Sequence, residues 1–328
     1  MQFTPGALLL LGVLVAGLAD TNAPRPEGGD ARLIPPFMFG ALARIGGEKR
    51  RPRVEDTVTR SFRTGEGGRL TLAAAIGDVE VVAAETDAVR LDILRSVDAG
   101  GREEAARLLG NLLVEATQQD RDVTVSVRFR RETPDDERRR VNLRFQITVP
   151  RSYNLDVRTV GSFNAGDLQG SVSVETAGGD VSLGRVQGGV AASSAGGRVR
   201  VAGVGGPLKL ETGGGPVTVE NAAASLEADT GGGPFRAALN GQPQAASSVR
   251  TSGGRIELSI GEGVGVELDA AASGGRVASE YDEAAGPKSK RDALRAAING
   301  GGPALVLRSD GGSISLRKGA ADSKARRP

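Results

Sequence analysis

The sequence predicts an all-β chain: a two-sheet parallel β-solenoid, β-helix-like, with nine-residue half-coils, preceded by a β-rich domain with one short helix. Three observations predict it. Every ninth residue from Phe163 to Phe235 is apolar, in the series Phe163, Val172, Val181, Val190, Val199, Leu208, Val217, Leu226, Phe235. Fixed-period self-similarity marks a stacked architecture. A second apolar residue follows each of these two places later, and glycine stands two places before each, with Ala224 the exception. Side chains at i and i+2 share one face of a strand, so each unit reads as a short strand with one buried face. Finally, Thr176, Ser194, Thr212 and Thr230 recur every eighteen residues, each just before a glycine cluster. Odd and even units therefore differ, which predicts two strands per coil. The apolar ladder divides into Val172, Val190, Leu208 and Leu226 on one sheet and Val181, Val199, Val217 and Phe235 on the other. An antiparallel meander is the competing architecture. Against it, Asn-Gly and Asp-Gly hairpin turns are almost absent here, and hairpins do not require equal lengths.

Taken in order, the chain opens with an apolar run from Ala7 to Ala19, too short to span a bilayer comfortably. It fits the core of a secretory signal (1–19) cleaved after Ala19, although Met1–Gly6 lacks Lys and Arg. Residues 20–53, rich in Pro, Gly and Arg, read as a linker. The N-terminal domain covers 54–150. Strands are expected at Val54–Arg63, Arg69–Ala74, Asp78–Ala83 and Val89–Leu94, then a helix over Gly101–Asn111 with acidic residues at its start. Further strands follow at Leu112–Thr117, Asp122–Phe129 and Val141–Val149, with the mixed charge run Arg130–Arg140 as a solvated loop. Of the 49 glycines, 34 lie beyond residue 160, which puts the domain boundary near 150–160.

The repeats occupy 151–317. Their register breaks after Phe235, where Asn240–Ser248 reads as an insertion. The pattern resumes at Ile256-x-Leu258, Val266-x-Leu268 and Val277. A second insertion runs from Tyr281 to Gly302, with Lys288, Lys290 and Arg291 exposed. Strands at Ala304–Leu307 and Ile314–Leu316 close the repeats, and 318–328 is a basic tail.

Composition removes several functions. Cysteine and histidine are absent, so there is no disulfide, no thiol nucleophile, no zinc-thiolate site and no imidazole base. The net charge of +2 makes no electrostatic case for nucleic acid. Tryptophan is absent, and Phe163 and Phe235 hold inward positions, so aromatic platforms for sugars are lacking. No Gly-x-Ser-x-Gly elbow or phosphate loop occurs, and Ser315-x-x-Lys318 is a weak Ser/Lys spacing on a terminal strand. Calcium β-rolls share the nonapeptide, but the one acidic match, Asp180, is replaced by Arg198, Pro216 and Pro234 in later units. An outward column of Glu175, Ser193, Glu211 and Asp229 recurs every eighteen residues. Such a column is a solvated face, with Lys209 offsetting Glu211, or a face for a partner or a hard cation.

The run Val141–Pro150, a strand ending in Val-Pro, resembles the segment that introduces the repeats in a bacterial family called putative adhesins, a domain of unknown function with Thr-x-x-Gly-x-apolar-x-apolar repeats. Leu155–Gly161, Val174–Val181, Ile298–Pro303, Gly77–Val81 and the Glu103–Leu109 helix are similar too, so the resemblance covers residues 54–317. It implies an exported β-solenoid with no known catalytic residues. The function expected is non-enzymatic binding or scaffolding at the cell envelope, in the periplasm or at the cell surface. The partner is a protein or polysaccharide met through the outer faces, with self-association possible, no cofactor and no integral span in the mature chain. A carbohydrate-active β-helix and a self-assembling intracellular scaffold are the alternatives.

Overall fold

The computed structural model describes residues 53–281 and 291–319. The expected signal segment, the linker as far as residue 52, Lys288, Lys290 and the tail beyond Gly319 lie outside the described residues.

The first part of the chain forms β1 (Arg53–Arg63), β2 (Arg69–Ala74), β3 (Asp78–Ala84), β4 (Ala88–Asp98), α1 (Arg102–Gly110), β5 (Leu112–Gln119), β6 (Asp122–Phe129), α2 (Asp135–Arg138) and β7 (Val141–Pro150). The repeats supply β8 (Asn154–Thr159), β9 (Phe163–Ala165), β10 (Val172–Thr176), β11 (Val181–Val186), β12 (Val190–Ser194), β13 (Val199–Val204), β14 (Leu208–Thr212), β15 (Val217–Ala222), β16 (Leu226–Thr230) and β17 (Phe235–Leu239). The remainder is β18 (Ser247–Thr251), β19 (Ile256–Ile260), β20 (Val266–Ala272), β21 (Val277–Ser279), β22 (Ala293–Ile298), β23 (Ala304–Ser309) and β24 (Ile314–Lys318).

These strands make an all-β molecule of two long sheets, each of 12 strands and mostly parallel. Sheet I runs β1-β4-β7-β3-β9-β11-β13-β15-β17-β19-β24-β21, and sheet II runs β22-β20-β23-β18-β16-β14-β12-β10-β8-β2-β6-β5. From β8 to β19 successive strands alternate between the sheets, and each pairs in parallel with the strand two places on. Val172, Val190, Leu208 and Leu226 are register partners in sheet II. Val181, Val199, Val217 and Phe235 are partners in sheet I. All eight are buried in one apolar cluster that extends through both sheets.

The corners explain the glycines. A Cβ on Gly179, Gly197, Gly215, Gly233 or Gly254 would lie under 3.0 Å from the carbonyl oxygen of the glycine before the preceding strand of the same sheet. None of the five has positive φ. Close backbone approach, not left-handed geometry, therefore excludes a side chain here. Beside this stack runs a buried hydroxyl ladder. Thr176 Oγ1 donates to Gly161 O (2.7 Å) and accepts from Gly179 N (3.1 Å). Ser194 Oγ repeats this with Gly179 O (3.1 Å) and Gly197 N (3.0 Å). The eighteen-residue period of Thr and Ser is thus the period of a corner whose backbone groups need a local partner.

Residues 53–150 continue the same sheets. β3 pairs with β7 on one side and β9 on the other, and β2 lies between β6 and β8. α1 sends Ala105, Leu108 and Leu109 into the common core. Two stretches differ from the sequence expectation. The Arg130–Arg140 loop contains the one-turn α2 and is strapped down: Arg107 Nη1 meets Glu137 at 2.6 Å and Arg140 Nη2 meets Glu104 at 2.8 Å. The expected insertion 281–302 contains a strand, β22, antiparallel to β20. Its sequence Ala-Leu-Arg-Ala-Ala-Ile has little β-propensity, and pairing rather than residue type makes it extended. The first insertion is small. Thr230 pairs with Thr251, twenty-one residues on, so the eighteen-residue spacing grows by only three residues and β18 already begins at Ser247.

Candidate binding face

Strand alternation turns every second side chain of sheet II outward. Register partners place Arg158, Glu175, Ser193, Glu211, Asp229 and Arg250 side by side on β8, β10, β12, β14, β16 and β18. A parallel row two residues earlier holds Asp156, Ser173, Ala191, Lys209, Glu227 and Ser248. With neighbouring strands spaced about 4.8 Å, each six-strand row is about 24 Å long. The first row, with Lys209 and Glu227 of the second, lines a trough of about 1050 Å³. Asp156, Ser173 and Ala191 of the second row line an adjoining hollow of about 710 Å³ that reaches Asn154 and Pro207. The small Ser193 on β12 stands in the middle of the trough, with longer charged side chains on either side.

Of the column residues, Glu211 and Asp229 are direct neighbours, while Ser193 separates Glu175 from Glu211. Each glutamate has a cation: Arg158 Nε lies 3.3 Å from Glu175, and Lys209 Nζ lies 3.1 Å from Glu211. The bond to Glu211 and the charges of Glu211 and Glu227 raise the Lys209 pKa, which keeps the ammonium charged. The pairs are 54–67% exposed, so they contribute little to stability and leave the charges open to a partner. Among the described residues no three His, Cys, Asp or Glu side chains gather in a way that could hold a metal ion. The carboxylate of Asp180 accepts the Arg198 backbone N–H at 2.8 Å, a stitch between the turns that lead into β11 and β13. Ser315 and Lys318, three apart on a strand, point to opposite faces. Lys318 Nζ sits 5.6 Å from the centre of the Tyr281 ring.

Alternation along the strands already put Lys209 and Glu227 on the outward face, and sequence reading missed only Asp156. Asp156 stands seventeen residues before Ser173, one short of the period, because the first turn is shorter.

Among the described residues no helix is long and apolar enough to cross a membrane. No family model matches the chain, and no curated protein matches its sequence. Solved structures do match. One is described as a putative adhesin from Bacteroides fragilis, at 13% identity and TM-score 0.40, covering 80% of this chain and 97% of that one. A putative cell adhesion protein from Clostridium sporogenes matches at 9% identity and TM-score 0.28, covering 82% of this chain and 100% of its own. A putative lipid binding protein from Parabacteroides distasonis matches at 12% identity and TM-score 0.34, covering 80% and 97%. Solved structures similar to this chain thus include ones described as a putative adhesin and a putative cell adhesion protein, at low identity.

Proposed function

We propose that this chain is an exported, non-enzymatic protein of the cell envelope, which binds or scaffolds an extended partner through the outer face of sheet II. In this reading the two sheets are opposite walls of a β-solenoid with one coil per eighteen residues. The observation that carries the proposal is this exposed face: two in-register rows of charged, hydroxyl and small side chains that line two adjoining hollows. Repeat architectures present long faces of this kind to long partners. The face carries charges of both signs, so it suits a polar partner of mixed charge better than a polyanion.

The test is protease shaving of intact cells with mass spectrometry of the mature N-terminus. Cleavage near Ala19 with release of peptides from 155–251 is expected for a surface protein; cleavage with full protection places the chain in the periplasm. An intact Met1 in the cellular protein overturns export and favours the intracellular scaffold. Turnover of a purified polysaccharide, abolished by Glu211→Gln in a folded protein, would overturn the non-enzymatic reading.

A further inference from the structure

The last coil does not stack in chain order. From β8 to β19 each new strand is laid against its predecessor in the same sheet. After β19 the chain passes on to β20 and β21 without pairing them to β18 or β19. β23 and β24 then come back and fill the interval. β23 pairs with β18 on one side and β20 on the other, while β24 pairs with β19 and β21. The slot is thus bounded on both sides by strands that precede its occupant in sequence. The inserted coil is deeply held: Leu305, Leu307, Ser309, Ile314 and Leu316 are all at most 1% exposed.

The only connection of this coil to the rest of the chain on its N-terminal side is the turn Asn299–Pro303. Asn299, Gly300, Gly301 and Gly302 have φ of 49°, 88°, 82° and 157°. Asn299 is one of two non-glycine residues with positive φ among the described residues. Glycine takes positive φ freely, so the cost of this conformation falls on Asn299 alone, and short strained hinge turns favour exchange of the element they carry.

We propose that this chain forms a closed dimer by exchanging residues 304–318, with β23 and β24 of each copy filling the slot of the other. The partner is a second copy of this chain. Opening the turn relieves Asn299 while releasing its Nδ2 hydrogen bonds to Gly261 O (3.3 Å) and Val264 O (3.0 Å), and the contacts in the slot are remade between copies. The backbone ladders to β18, β19, β20 and β21 re-form, as do Arg308 Nη2 to Asp269 Oδ2 at 3.0 Å and Ser309 Oγ to Gly254 O at 3.1 Å. Five residues extended reach about 17 Å, enough to pass between two copies meeting at their β21–β22 ends. Each copy gives and receives one coil, so the assembly is symmetric and stops at two. The proposal stands apart from the partner face on sheet II.

The test uses the full chain, which has no cysteine. Ser248→Cys combined with Val306→Cys places two thiols at register partners on β18 and β23. The protein is concentrated, warmed to just below its melting point, cooled and separated by size. Each fraction is then oxidised and run on a non-reducing denaturing gel. A dimer fraction whose disulfides join two chains, beside a monomer fraction linked within itself, is expected. Absence of a dimer fraction, or a dimer linked only within each chain, overturns the proposal. Hinge variants without cysteine read the same idea by sizing alone. Deleting Gly301 and Gly302 should raise the dimer share several-fold, and lengthening the turn by about four Gly and Ser residues should lower it. No change, or the reverse order, overturns it.

Discussion

Gly214 and Gly215 are adjacent in sequence and have opposite tolerances. A Cβ on Gly214 meets nothing within 4 Å, whereas one on Gly215 runs into the backbone of Gly197 and Gly196. Gly215→Ala should therefore destabilise by about 1–3 kcal/mol, the usual cost of forcing atoms into packed structure. Gly214→Ala should be neutral or stabilising by up to about 1 kcal/mol, since it only restricts the unfolded chain. Urea denaturation of the two variants checks this, and equal midpoints would refute the stacking of corner glycines. Val199, fully buried between Val181 and Val217, is the apolar counterpart. Val199→Asp buries an unpaired carboxylate, so a loss above about 4 kcal/mol is expected. Unchanged far-UV circular dichroism and melting point would contradict the inward assignment. Both positions were legible as a repeat: glycine two places before each apolar residue. That the glycine is needed for approach rather than for φ was not legible, because the clash is with a residue eighteen places away.

At the scale of elements, one carboxylate bridges the inserted β23 to both β20 and β22 at the end of the molecule. Asp269 on β20 takes Arg308 at 3.0 Å and Arg295 at 3.3 Å. The hydrogen bond from Arg308 is the largest influence on its pKa; burial opposes it, the charges of Arg308 and Arg295 reinforce it, and the pKa is lowered. A depressed carboxylate stabilises the fold above its unfolded pKa, and that contribution is lost as the pH falls through the lower folded value. Acid should therefore loosen β20, β22 and β23 first, below about pH 4. Asp269→Asn should make protection of these strands in hydrogen exchange less dependent on pH between about 2 and 5. If the native chain loses protection uniformly in acid, this clasp has no such role. Nothing in the sequence singled out Asp269. Its arginines lie twenty-six and thirty-nine residues away, on strands whose neighbours follow from a non-sequential stacking order.

For the whole molecule, the repeat is a matter of count. Removing residues 190–207 deletes one complete pair of strands and joins Gly189 to Leu208, so glycine, hydroxyl and apolar positions all stay in line. That variant should melt cooperatively within about 10 °C of the parent, since such stacks lose one unit and one interface at a time. Removing 190–198 instead sends every later strand to the opposite sheet and sets the hydroxyl corners of one sheet beside the other type of turn. It should fail to give a cooperative melt. Equal behaviour of the two deletions in thermal circular dichroism would show that eighteen is not the structural period.

The sequence by itself determined the strand positions from Phe163 to Phe235, their inward residues and the eighteen-residue register, because these are local consequences of period and of side-chain alternation. It also determined the column Glu175, Ser193, Glu211 and Asp229, since equal spacing puts like positions in one row. Tertiary structure alone decided how the ends are closed. β1 to β7 join the same two sheets as the repeats, and the alanine-rich β22 becomes a strand only because β20 offers it an edge. Likewise β23 and β24 lie between strands that precede them. Those outcomes depend on which unpaired edge a segment meets in space. Hydrogen bonding satisfies any edge of suitable shape, so no periodicity within the segment specifies the choice.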